Sequence, residues 1–147
     1  MLQNRRARHD YEILETFEAG LVLRGSEVKS LRGSGGSIAE AYAKIEGGEV
    51  WLEGATIPSY PQASYNDHEP LRRRKLLLHG RQIAELRRGL ERKGLTVVPL
   101  ELYFDARGRA KLKIALARGR KRHDKRAAAS ERDAKREMDR ALKGASR

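Results

Sequence analysis

The segment Ala41-Tyr42-Ala43-Lys44-Ile45-Glu46-Gly47-Gly48-Glu49-Val50-Trp51-Leu52 reads as a β-hairpin. Two runs of strand-forming residues flank paired glycines, which supply the positive φ that a tight antiparallel turn requires. Downstream, Leu100-Glu101-Leu102-Tyr103-Phe104 and Lys111-Leu112-Lys113-Ile114-Ala115-Leu116 alternate across the turn-rich Asp105-Ala106-Arg107-Gly108-Arg109. In the second run Leu112, Ile114 and Leu116 face a core while Lys111 and Lys113 face out. Upstream, Tyr11, Ile13, Glu15 and Phe17 alternate with Glu12, Leu14 and Thr16, and Leu21-Val22-Leu23, after Ala19-Gly20, reads as a separate strand. Helices are predicted over 26–32, with Ser26 as cap, and over 81–93, where Ile83, Leu86 and Leu90 share a face and Gly94 is the stop. Pro58, Pro61 and Pro70 bracket a polar loop. Five to seven short strands with interposed helices give a mainly β fold, an OB-like Greek-key barrel with accessory helices. A parallel α/β sheet would need a helix at every crossover.

The 147 residues carry 32 Lys+Arg against 20 Asp+Glu, for a formal net charge of +12, and 39% are hydrophobic. That length suits one domain. Mean hydropathy is −0.73, and no apolar run is long enough to span a bilayer. Met1-Leu2-Gln3-Asn4-Arg5-Arg6 lacks the apolar core of a secretory signal, so a cytoplasmic protein is expected. Cysteine is absent, which excludes disulfide scaffolds and thiolate chemistry. The charge is uneven: residues 118–147 hold twelve Lys/Arg and five Asp/Glu. With few apolar residues to offset its ordering entropy, that basic tail is expected to be disordered in solution, leaving residues 1–117 as the barrel. A cationic tail without aromatic residues favours nucleic acid over a membrane surface.

Candidate chemistry is sparse. His9-Asp10 and His123-Asp124 look like the metal-binding pair of phosphohydrolases, but they lie over a hundred residues apart, and no metal or cofactor is expected. Asn66-Asp67-His68-Glu69, beside Pro70, reads as a solvated turn. Glu12 and Glu15 would point to opposite faces of a strand and cannot act as a paired acid and base. Arg32-Gly33-Ser34-Gly35-Gly36-Ser37 lacks the lysine of a nucleotide-binding phosphate loop.

The basic clusters carry more. In Arg72-Arg73-Arg74-Lys75 at least one guanidinium on each face should be exposed and free for phosphate, the bland alternative being a charged strand edge that prevents aggregation. Six cations lie within the nine residues from Arg118 to Arg126 and repel one another unless a polyanion screens them. Beyond Ser130, Ala134, Met138, Ala141 and Leu142 form a thin apolar stripe among Arg132, Lys135, Arg136, Arg140 and Lys143, a helix that would form only when bound.

These residues carry a resemblance to the SsrA-binding protein (small protein B, SmpB) family, the bacterial partners of transfer-messenger RNA. The matching segments are Asn4-Arg5-Arg6-Ala7-Arg8-His9-Asp10-Tyr11, Phe17-Glu18-Ala19-Gly20, Gly25-Ser26-Glu27-Val28-Lys29-Ser30-Leu31-Arg32, Arg72-Arg73-Arg74-Lys75-Leu76-Leu77-Leu78, Leu102-Tyr103-Phe104, Lys111-Leu112-Lys113 and residues 119–126, in order along the chain. The resemblance implies binding of the tRNA-like domain of transfer-messenger RNA. It also implies delivery of that RNA, charged with alanine and accompanied by elongation factor Tu, to stalled ribosomes.

It places RNA contacts at Glu18, Leu77 and Lys111, and the matching segments add His9, Arg72, Arg74 and Lys113. It assigns Gly119, Arg120, Lys121, His123, Asp124, Lys125 and Arg126 to the ribosomal decoding region, with His123 stacking on an rRNA base. The later helix, with Arg132, Arg136 and Met138, would follow the vacant mRNA path. A monomer without enzymatic activity is expected. Without the resemblance, the residues alone point to a generic OB-fold RNA-binding protein of ribosomal or initiation type.

Overall fold

The computed structural model describes residues 1–120. Seven strands, β1 (Leu2–Gln3), β2 (Tyr11–Leu21), β3 (Tyr42–Glu46), β4 (Glu49–Glu53), β5 (Arg74–Leu77), β6 (Leu95–Phe104) and β7 (Ala110–Gly119), accompany three helices, α1 (Ala7–Asp10), α2 (Gly25–Gly33) and α3 (Gly80–Leu90). Strands β2, β5, β4, β3, β6 and β7 pair in that order, and β7 pairs back to β2, so the sheet closes into an antiparallel barrel. β1 adds to β6 outside the ring, with Leu2 opposite Leu102. The fold is the mainly β barrel that the alternation predicts.

The barrel interior is filled by Phe17, Ala19 and Leu21 of β2, Val50 and Leu52 of β4, Leu76 of β5, and Leu112, Ile114 and Leu116 of β7. β7 is buried on its other face as well, where Ala115 and Ala117 pack with Val98, Leu100 and Ala7 of α1. Lys111 and Lys113 occupy the end of that outer face that α1 leaves uncovered. At the β3–β4 hairpin Gly47 and Gly48 have φ of 61° and 76°, as the paired glycines require.

Several elements depart from the sequence pattern. β2 is one strand, not two, because Ala19-Gly20 continues it and the chain changes partner there: Gly20 is opposite both Lys111 of β7 and Leu77 of β5. β6 begins five residues before Leu100 and passes through Pro99, which is tolerated because a register shift between Pro99 and Glu101 interrupts the ladder there.

A bulge at Leu14 sets Glu12 opposite Arg118 and Glu15 opposite Leu116, two positions apart on β7. Glu12 and Glu15 therefore share a face, contrary to strict alternation. Ser26 does not cap α2; the N–H of the N-cap residue Arg24 donates to Glu27 Oε1 at 2.8 Å, and Ser26 Oγ bonds His68 instead.

Candidate nucleic-acid interface

Gly20 organises the principal cleft. Because it lies between Lys111 and Leu77 across three neighbouring strands and has no side chain, the sheet surface is hollow there. A Cβ on Gly20 would stand 3.2 Å from Leu77 Cβ, a tight contact, so glycine here serves close approach rather than φ. The resulting cleft, about 680 Å³, is lined by Glu18, Leu77 and Lys111 together with Leu78, Phe104 and Arg109. Three residues separated widely in sequence thus converge on one surface. Leu77 is 53% exposed although Leu76 beside it is buried, since the period of a strand sends the two side chains to opposite faces.

Electrostatics at the cleft are loosely set. Lys111 Nζ is 3.8 Å from Glu18 Oε1, an open ion pair that leaves the lysine able to turn to another anion. Tyr103, opposite Lys111 on β6, donates its hydroxyl to Glu18; burial and that carboxylate push its pKa to about 12, so it stays a donor. Arg32 of α2 lies over the Phe104 ring, 4.7 Å from its centroid. The cleft therefore offers an apolar wall, a flat ring, a carboxylate acceptor and the cations Lys111 and Arg109. That set suits an unstacked base with its ribose and phosphate.

Lys113 is opposite Glu18 on β2 and Glu101 on β6, and continues the outer face of the barrel from Lys111. His9 is half-buried on α1, its Nδ1 3.0 Å from Asp10 Oδ1, away from the cleft lining. Gly119 ends β7, and the Arg120 N–H donates to the Asp10 carbonyl at 2.9 Å, tying the start of the tail to α1. Lys121, His123, Asp124, Lys125, Arg126, Arg132, Arg136 and Met138 lie outside the described residues.

The basic run at β5 divides differently from the expectation. Arg74 is fully buried: its Nε donates to Glu27 Oε2 at 2.6 Å, Nη1 to the Ala55 carbonyl at 2.8 Å and Nη2 to the Pro70 carbonyl at 3.2 Å. With every donor turned inward, it presents nothing to a phosphate. Arg72 is partly exposed but also donates to Glu27. Arg73 is the outward guanidinium, 4.0 Å above the Trp51 ring and 3.1 Å from Glu46. β5 is not an edge either, since it pairs with both β4 and β2.

Burial alone would raise the Glu27 pKa, but hydrogen bonds from Arg72, the Arg24 N–H and Arg74 hold it below the usual carboxylate range. His68 is no solvated turn residue. Its side chain is buried, with Nδ1 2.8 Å from Ser26 Oγ and Nε2 2.9 Å from the Ile57 carbonyl, while Asp67 accepts from the Tyr60 and His68 N–H groups. This polar lock anchors the proline-bracketed loop to α2. Among the described residues, no three His, Asp or Glu side chains converge to hold a metal ion.

Sequence reasoning alone missed Gly20, Tyr103, Phe104 and Arg109. A glycine inside an alternating strand is the one local signal that could have found the cleft.

A closed antiparallel barrel with a mostly apolar cleft on its outer surface, rimmed by Glu18, Arg109 and Lys111, is a barrel of the OB type. The model of the family described as SmpB protein matches residues 1–144, and the chain belongs to that family. An SsrA-binding protein of Rhizobium leguminosarum bv. trifolii is 56% identical over 141 residues, covering 96% of this chain and 89% of its own length. One of Beijerinckia indica subsp. indica is 57% identical over 142 residues, covering 96% and 90%. A solved chain described under "tmRNA-SmpB: a journey to the center of the bacterial ribosome" superposes with a TM-score of 0.69 at 50% identity, covering 87% of this chain and 93% of that one. No described helix is long and apolar enough to cross a membrane.

Proposed function

We propose that this protein binds transfer-messenger RNA through its tRNA-like domain and brings it to stalled ribosomes for trans-translation, with the cleft beside Gly20 as the RNA site on the barrel. The observation that supports this reading is the convergence of Glu18, Leu77 and Lys111 on one cleft, from the neighbouring strands β2, β5 and β7. Leu77 packs on an unstacked base, Glu18 accepts from a base or a 2′-OH, and Lys111 pairs with phosphate. Lys113 extends the cationic face. Arg72 and Arg74 act indirectly, by fixing β5 and hence Leu77.

The protein acts as a cytoplasmic monomer and by binding alone, without a catalytic step. The RNA it carries is charged with alanine and accompanied by elongation factor Tu. The barrel of residues 1–117 holds the RNA while the tail of residues 118–147 enters the ribosome, where His123 stacks on a base in the decoding region and the segment containing Arg132, Arg136 and Met138 follows the vacant mRNA path.

The test is a competition in which the full chain, bound to a labelled tRNA-like domain, is challenged with linear single strands of equal length. The folded RNA should compete far better. Lys111→Ala should lower affinity and flatten the slope of log K against log salt by about one phosphate contact. Equal competition by linear RNA would reduce the protein to a generic single-strand binder.

A further inference from the structure

The helix α3 has a face that the cleft does not use. Its inner side is pressed onto β7 so closely that a Cβ on Gly89 would lie 2.4 Å from Leu116 Cδ2, and Leu86 beside it is wholly buried. At 3.6 residues per turn this packing fixes the outer stripe as Arg81, Glu85, Arg88 and Arg92, with the backbone turning on past Leu90 through the bond from the Arg92 N–H to the Gly89 carbonyl. Arg81, Arg88 and Arg92 are exposed, and none of them forms an ion pair among the described residues. The cations of the β3–β4–β5 face behave otherwise: Lys44, Arg73 and Lys75 are each held by a carboxylate.

The one acid in the stripe does not neutralise its neighbours. Glu85 lies beside Glu15 of β2 and helps to raise its pKa; both acids line the shallow hollow of Arg88 and Arg92, and neither forms a salt bridge there among the described residues. The stripe also has a direction. Gln82, in the first turn of α3, lines the cleft, Arg88 lies about 9 Å further along the helix axis, and Arg92 follows in the turn just past the helix end.

We propose that this stripe is a phosphate track: RNA engaged in the cleft runs its backbone along α3, where the guanidinium groups of Arg88 and Arg92, with Arg81 nearer the cleft, pair with successive phosphates. The proposal rests on the reading of the cleft as an RNA site. A regular polyanion matches exposed guanidinium groups spaced along one line, and the forked donors of arginine suit phosphate oxygens. The contact carries no base preference, so it lends affinity and orientation to the specificity of the cleft.

The test uses the full chain, a fluorescent tRNA-like domain and separately purified ribosomes, each titrated over a range of salt. Arg88→Gln with Arg92→Gln should weaken binding about tenfold near physiological salt and flatten the log–log slope by one to two. Arg88→Lys with Arg92→Lys should restore most of the slope. The matched control, Lys44→Gln with Arg73→Gln, removes the same charge from another face and should change the slope by less than half as much.

A loss on ribosomes but not on the isolated RNA would overturn the track as a continuation of the cleft. Unchanged slopes on both, or equal changes in the two glutamine doubles, would overturn it. Leu77→Ala separates the two readings: if it lowers affinity while the arginine double does not, the track fails and the cleft stands, and if it leaves affinity intact, the cleft assignment fails and the track loses its starting point.

Discussion

Glu27 with Arg74 and Glu18 with Lys111 are both glutamate–cation pairs beside the strands of one barrel, yet they have opposite characters. The first is buried and saturated: the carboxylate takes donors from Arg72, Arg74 and the Arg24 N–H, and Arg74 spends its remaining donors on backbone carbonyls. The second is an exposed contact of 3.8 Å beside an open cleft. Burial and completeness, rather than residue type, separate a structural pair from one available to a ligand.

Removing the buried carboxylate should have the largest effect. Glu27→Ala leaves Arg74 uncompensated in the interior and should lower the unfolding free energy by roughly 3–5 kcal/mol in urea titrations. The RNA affinity of the folded fraction should fall far less than the stability does, because Glu27 is not itself part of the cleft lining. Because the folded pKa of Glu27 is depressed, its contribution is present above the unfolded carboxylate range near pH 4.5 and is lost as pH falls through the folded value. Glu27→Gln should therefore flatten the acid limb of the stability profile. A variant as stable as the parent would make the buried pair no more structural than the exposed one.

The cleft should show the reverse signature. Leu77→Ala should weaken RNA binding by roughly 1 kcal/mol, part of the ~1.5–3 kcal/mol that covering an exposed leucine side chain contributes. Unfolding midpoints should barely move, because Leu77 is 53% exposed and an exposed substitution usually shifts stability by about 0.5 kcal/mol or less. A large drop in stability with intact binding would return Leu77 to the core.

Glu15 falls between the two cases. Its pKa is raised by partial burial and by Glu85, so its favourable contribution exists below the unfolded carboxylate range and disappears as pH rises through the folded value. Glu15→Gln should consequently stabilise the protein near neutrality, by about 0.3 kcal/mol given its exposure to solvent, and leave stability at pH 3 unchanged. A destabilised Glu15→Gln protein would mean that the ionised carboxylate has a partner other than Glu85.

What the sequence made legible follows the range of each interaction. The β3–β4 hairpin and the inward Leu112, Ile114 and Leu116 were readable because their signals, paired glycines and alternation, are local. β2 was divided in error at Ala19-Gly20 because a glycine between apolar runs looks like a turn until its partners are known. The first half of β6 was hidden by Pro99, whose tolerance depends on the register shift against β7.

Arg74 was misjudged for the same reason. Its neighbours Arg73 and Lys75 suggest a surface run, and its true partner, Glu27, lies on another element far back in the chain. The trio in the cleft was named through family resemblance. The residues alone would not have joined Glu18, Leu77 and Lys111, because only the pairing of β2 with both β5 and β7, invisible in the sequence, brings them together.

The pairing of β7 with both β2 and β6 also has a consequence in time. Tyr11 meets Gly119 across the barrel, so the seam joins positions about a hundred residues apart, and the ring cannot close until nearly the whole described chain has been synthesised. Until then β2 and β6 each present an unpaired edge to the surroundings. Local pieces such as the β3–β4 hairpin can form within microseconds of release, whereas closure of the seam waits on the slowest and most entropically demanding contacts in the molecule. Closure of the barrel therefore waits on β7, the last strand of the described residues, and a truncation before Ala110 would leave an open sheet prone to pair with its own copies.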